Sequence, residues 1–181
     1  MENTLTKNYM YAAGAVLVVA AVAVGLYAYG EFSVPKLSYQ SAEYGISFSY
    51  PDTYALNEQH VEGRHTIVLA DKEALAAAPE NGEGPTAITF DIIMNPDNLA
   101  PSQWVKDNPL SNYQLSPDGT LASSTRDGTE AVAYVWDGLY RGESYVFDHG
   151  EDIVMASVTM FELTDQIKKD FEGILRTLVL Q

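Results

Sequence analysis

The stretch TLASSTRDGTEAVAYVWDGLYRGESYVFDHGEDIVMASVTMFE, residues 120–162, decides the fold. Glycine-containing turns at Arg126-Asp127-Gly128, Asp137-Gly138 and His149-Gly150 divide it into strand-length runs rich in Val, Tyr and Thr. An Asp-Gly step favours the tight turn of a hairpin. The pattern therefore predicts strands over residues 120–125, 130–136, 139–148 and 153–162, joined as an antiparallel meander.

Working outward, residues 86–94 (TAITFDIIM) read as the clearest interior strand. Residues 54–60 and 65–70 form a hairpin about Glu62-Gly63. Residues 45–50 alternate Ile46, Phe48 and Tyr50 on one face, the period-two signature of a half-buried strand. Residues 37–40 are extended, and residues 113–115 read as a short strand. Three segments are predicted helical. Residues 71–78 begin at Asp71, suited to an N-cap, and residues 101–108 carry Pro101 at the first turn. Residues 164–180 place Ile167, Phe171, Ile174, Leu175 and Leu178 on one face, with Thr164 as cap and Lys168 and Lys169 on the wet side. The expected fold class is α+β: a mostly antiparallel sheet flanked by helices, with the last helix packed on one face.

Upstream, residues 9–29 read YMYAAGAVLVVAAVAVGLYAY, without a formal charge or a Pro. At about 1.5 Å per residue such a helix spans roughly 31 Å, the hydrocarbon thickness of a bilayer. Its apolar residues point all round rather than along a stripe, which argues against a core helix. The run is long for a cleavable signal, Tyr27 and Tyr29 interrupt the small residues a cleavage site needs, and no Cys is present for lipidation. Tyr residues at both ends suit the two membrane interfaces. The expected organisation is a tail (1–8), a transmembrane signal-anchor helix (9–30), a linker (31–36) and one globular domain (37–181). Lys7 lies nearer its membrane edge than Lys36 does. The positive-inside rule then places the N-terminus in the cytoplasm and the domain outside it.

The chain has 25 acidic and 10 basic side chains and a net charge of −15. Glu2 and Lys7 cancel, so that charge belongs to the part after the apolar run. Phosphate backbones and anionic lipid repel such a domain, which excludes nucleic-acid binding. The absence of Cys removes disulfides, thiolate metal sites and thiol nucleophiles together.

The segment YQSAEYGISFSYPDTY, residues 39–54, resembles the start of PsbP-like and Mog1-like domains, in which an aromatic-x-aromatic strand ends in Tyr-Pro. The matching residues here are Ile46, Phe48, Tyr50, Pro51 and Tyr54; family members more often carry Trp near the last position. The closing strand and helix, residues 155–180, resemble that family's ending through Phe171, Ile174, Leu175 and Thr177. The resemblance spans about residues 38–180 and implies an α/β/α sandwich acting as a non-enzymatic accessory or binding module. The basic cluster by which the photosystem member docks has no counterpart here, so no functional residue is carried over.

Candidate chemistry is sparse. Asp148, His149, Glu151 and Asp152 surround a glycine turn and fit either a site for Ca²⁺ or another divalent cation, or a polar hairpin tip. Their spacing matches no EF-hand loop. His60 and His65 can approach each other across their turn, but no third ligand is fixed, and surface loop histidines are the plainer expectation. A hydrolase would need one of the three histidines to meet a nucleophile in a pocket, and no G-x-S-x-G elbow exists. Asp91 alternates with Ile92 and is expected to face solvent. Tyr134 and Trp136 share a strand face, which is either an exposed aromatic binding patch or the face beneath a helix. The expected function is a membrane-anchored, extracytoplasmic, non-catalytic module with a protein partner. A metal- or small-ligand-binding domain is the alternative and a hydrolase the third.

Overall fold

The computed structural model describes residues 35–79, 82–126 and 129–181. The expected tail, the anchor helix and residues 31–34 of the linker lie outside the described residues, as do Asp127 and Gly128. Among the described residues no helix is long and apolar enough to cross a membrane.

From residue 36 the chain folds around two antiparallel sheets. The smaller contains β1 (Lys36–Ser41), β2 (Ile46–Pro51) and β10 (Val179–Leu180), in the order β1-β2-β10. The larger takes β3 (Tyr54–Val61), β4 (Arg64–Asp71), β5 (Ala87–Met94), β6 (Ala122–Arg126), β7 (Thr129–Asp137), β8 (Arg141–His149) and β9 (Asp152–Met160). Its order is β3-β4-β5-β9-β8-β7-β6. The meander expected over residues 120–162 is the β6-β7-β8-β9 half of this sheet. The Asp137-Gly138 and His149-Gly150 turns fix the register of its last three strands: Trp136 faces Gly142, and His149 faces Asp152. The helices are α1 (Lys72–Ala77), α2 (Pro101–Asp107) and α3 (Gln166–Leu175). Asp71 caps α1 as expected, its carboxylate accepting the backbone N–H of Glu73 and Ala74.

The two faces of the large sheet are covered by different elements. One packs Ile67, Leu69, Ile88, Phe90 and Val158 against Ile46 and Phe48 of β2 and against Phe171 and Ile174 of α3. The Phe48 and Phe90 rings stack at 4.4 Å, tying the small sheet to the large one. The opposite face packs Ile93, Val132, Tyr134 and Val146 against Trp104 and Val105 of α2. The expected helical cover over the first face is therefore shared with a second sheet, a feature that periodicity within single segments does not reveal.

Three expectations are corrected. Residues 113–115 form a 3-10 turn rather than a strand. Asn112 precedes them in the left-handed conformation (φ 59°), which Asn tolerates and which breaks extension. The C-terminal helix ends at Leu175, and residues 179–180 pair with β2 instead. Thr177 turns the chain by donating its hydroxyl to Ile174 O and accepting Ser49 N–H. Lys168 is not on the wet side: its ammonium pairs with Glu143 and Glu172, and its side chain is largely covered.

Gly142 illustrates how closely this sheet is packed. A Cβ there would lie 2.0 Å from Cε2 of the Trp136 indole, which closes over the glycine across the strand pair. The indole N–H donates to Ser144 Oγ at 3.0 Å, and Ser144 in turn bonds Ser157 Oγ at 2.8 Å. A Gly142→Ala substitution must expel the ring and break that chain. It is expected to cost about 1–3 kcal/mol, read as a lower denaturant midpoint with altered Trp fluorescence. An unchanged midpoint would show that the ring is not held there.

Candidate functional site

The β1–β2 turn gathers all three histidines of the chain. Gly45 has φ 58° and an approach to Gln181 O that leaves no room for a Cβ, so the turn presses against the C-terminal strand. This presents Tyr44 over the rim of the large sheet. Its ring stacks on His65 with centroids 4.2 Å apart. The Tyr44 hydroxyl lies 3.3 Å from His60 Nδ1, and its backbone carbonyl is 2.9 Å from His149 Nε2. A carbonyl only accepts, so His149 donates there and its Nε2 carries the proton.

His60 and His65 face each other directly across the β3–β4 hairpin. Their Nδ1 atoms are 3.4 Å apart. His65 is only 6% exposed, so it is not a surface loop histidine; β4 is covered on this face by the β1–β2 turn. Its Nε2 has no aligned hydrogen-bond partner, but lies 2.9 Å from Glu58 Oε2. The same carboxylate oxygen accepts the Tyr39 hydroxyl at 3.1 Å. Burial and Glu58 push the Tyr39 phenol up to about 12. The Tyr44 phenol is also raised, by desolvation and by Glu43. Both phenols stay neutral donors near pH 7. Tyr44, Glu58 and Tyr39 are the members of this cluster that reading the sequence missed.

The residues singled out from sequence are distributed differently. Asp148 and Asp152 line a groove of about 540 Å³ with Glu43, Tyr44, Gly45, His149 and Gln181. Glu151 instead lines a second hollow with Met94, Asn95 and Asn98, which Asp152 also borders. The acidic tip is thus split between two depressions, because neighbouring strand-end side chains point to opposite faces. Among the described residues no set of three or more His, Asp or Glu side chains converges to hold a metal. The Asp148, His149, Glu151 and Asp152 set is accordingly not assembled around one centre.

Tyr134 is buried in the cluster built around Trp104 and Val105 of α2, and Trp136 packs partly buried against that cluster with its ring over Gly142, so the exposed aromatic patch does not form. Tyr134 is 4% exposed and gives its hydroxyl to the carbonyl of Ser111. Its ring meets Tyr113 edge-on at 5.6 Å. Asp91 is likewise corrected: it is 3% exposed. Its Oδ1 accepts Arg64 Nε at 2.8 Å and the Thr66 hydroxyl at 2.6 Å, with Arg64 Nη2 at 2.7 Å.

Exposed apolar surface gathers elsewhere, at the β7–β8 turn. Leu139 and Phe161, each 67% exposed, line one groove with Asp137, Tyr140, Arg141 and Glu162. Tyr140 packs edge-on against Phe161 at 5.2 Å and donates its hydroxyl to Gly84 O. Leu163 follows two residues after Phe161 and is 59% exposed.

No protein-family model and no curated protein matches the chain. Among solved structures it is similar to cyanobacterial PsbP (CyanoP) from Synechocystis sp. PCC 6803 with a TM-score of 0.57 and 12% identity, covering 82% of this chain and 94% of that one. A protein from Bacteroides thetaiotaomicron VPI-5482 aligns with a TM-score of 0.49 and 12% identity, over 80% of this chain and 48% of that one. The Ran-binding protein Mog1p of Saccharomyces cerevisiae aligns at 0.47 and 10% identity, over 82% and 96%. The domain has a PsbP-like fold. At these identities the likeness establishes the fold alone.

Proposed function

We propose that this chain is a single-pass membrane protein, anchored through residues 9–29, whose domain acts outside the cytoplasm as a non-catalytic accessory module for a protein partner. The observation that carries the partner is the Leu139, Tyr140 and Phe161 cluster. Large apolar side chains grouped on a surface are costly to leave wet, and such patches mark docking sites. Asp137 and Glu162 line it and Asp165 accepts the Phe161 and Glu162 backbone N–H, outnumbering Arg141, so the partner offers an apolar patch rimmed by Lys or Arg. The 21-residue apolar run and the Lys7 asymmetry support the anchor and its orientation.

A photo-crosslinker placed at Leu139 in native membranes is expected to trap one protein with that surface chemistry. Phe161→Asp is expected to weaken the association by about 2 kcal/mol, roughly 30-fold, as loss of an aromatic anchor does. Because Phe161 is mostly exposed, unfolding of the variant should stay within about 0.5 kcal/mol of the parent. Equal capture by a crosslinker at the distant Glu58 position would sink the proposal. The anchor is tested separately: the full chain should resist alkaline carbonate extraction, and deletion of residues 9–29 should release it.

A further inference from the structure

We propose that His60 and His65 form a binding site for a borderline divalent transition metal such as Zn²⁺ or Cu²⁺, ligated by their two Nδ1 atoms. The proposal rests on geometry. Two nitrogens bound to one tetrahedral metal at about 2.0–2.1 Å lie about 3.3–3.4 Å apart. The Nδ1 atoms of His60 and His65 are 3.4 Å apart, held by direct pairing across the hairpin. That separation is longer than the roughly 2.7–3.2 Å of a good N–H donor bond, so a direct histidine–histidine hydrogen bond accounts for it poorly.

A second, independent feature points the same way. Buried His65 has an Nε2 with no aligned hydrogen-bond partner and a carboxylate of Glu58 2.9 Å away. A metal-bound histidine commonly gives its other ring N–H to a carboxylate, which fixes the tautomer and raises the basicity of the ligating nitrogen. With the proton on Nε2, the His65 Nδ1 carries the lone pair on the side of His60, and Glu58 needs only a small turn of its carboxylate to accept that proton. The Tyr44 hydroxyl, 3.3 Å from His60 Nδ1, borders the same centre and serves as a donor to a metal-bound water. Two imidazoles, a carboxylate behind one of them and open positions for water suit metals that favour nitrogen ligands, rather than Ca²⁺ or Mg²⁺. This centre is distinct from the acidic tip at Asp148 to Asp152 and independent of the apolar cluster at Leu139.

The test is calorimetric titration of the full chain in detergent micelles with Zn²⁺ and with Cu²⁺, and with Ca²⁺ for comparison. Saturable one-to-one binding of Zn²⁺ and Cu²⁺, absent with Ca²⁺, is expected. His60→Ala, at an exposed position, should lower the affinity by more than about 100-fold, and Glu58→Gln by about 10-fold or more. Co²⁺ should give the intense visible absorption of a near-tetrahedral ion, lost in His60→Ala. His149→Gln, which keeps a donor for the Tyr44 carbonyl, should bind as the parent does. Absence of saturable binding, or binding that survives His60→Ala and disappears in His149→Gln, overturns the assignment.

Discussion

Replacing Arg64 by Met is expected to destabilise the domain by about 3–5 kcal/mol, the cost of leaving a buried charge without its partner. Asp91 is 3% exposed and stays so in the variant, with the Thr66 hydroxyl as its remaining neighbour. The reverse substitution should be milder. The Arg64 side chain is 33% exposed and can turn its guanidinium into water once the carboxylate is gone. Asp91→Asn keeps the shape and an acceptor for Thr66, so about 1.5–3 kcal/mol is expected from loss of the charged hydrogen bonds. The double variant Arg64→Met with Asp91→Leu removes both charges and should recover much of the loss. Denaturant unfolding of the parent and these three variants reads the three costs. An Asp91→Asn cost equal to or above that of Arg64→Met would show that the buried carboxylate is not what the pair sustains.

Asp91 also marks where reading one segment at a time stops. Its strand was legible from TAITFDIIM, because β-branched and aromatic residues fill it. Its exposure was not, because alternation with Ile92 implies water only when a strand has one wet face. β5 is central, and Trp104 and Val105, more than ten residues downstream, help close the face toward which Asp91 and Ile93 point. The same non-local cover buries Tyr134, although its shared face with Trp136 follows from period two alone. The meander, the Asp71 cap and the Pro101 helix start were legible because turns and caps are chosen by adjacent residues. The strand at Val179–Leu180 was not, since its pairing partner Ser47 lies far upstream.

Within the candidate site, half of the geometry was available. A two-residue turn at Glu62-Gly63 forces residue 61 opposite 64 and residue 60 opposite 65, so the histidine pair follows from the turn alone. Glu58 lies on the same strand face as His60 by period two, a signal the sequence carries on its own. Tyr44 could not be found in this way. It arrives from a different sheet, and only the close approach of Gly45 to Gln181 brings its ring over His65.

Stability should fall steeply above pH 10, through Tyr54 and Tyr134. Both are 4% exposed. Tyr54 donates to Asp170 Oδ2 at 2.9 Å, and burial together with that carboxylate pushes its phenol well above the ordinary value near 10. Burial pushes the Tyr134 phenol up to about 12. Below pH 10 both phenols are protonated in the folded and unfolded chains, and their contribution is constant. Above pH 10 the unfolded chain releases protons that the folded one retains, so stability is lost as pH rises toward the folded values. Each group accounts for about 1.4 kcal/mol per pH unit. By pH 12 the two correspond to roughly 5 kcal/mol, reduced to about 3–4 kcal/mol by solvent screening at the hydroxyl ends. That is a large share of the 5–15 kcal/mol typical of a domain. Tyr54→Phe should cost about 1 kcal/mol at pH 7 for its lost hydrogen bond and should halve the alkaline slope. Urea unfolding at pH 7, 9, 10.5 and 11.5 reads both effects. A parent protein equally stable at pH 9 and pH 11.5, or a Tyr54→Phe variant with the parent's slope, would show that these phenols ionise in the fold as readily as in the open chain.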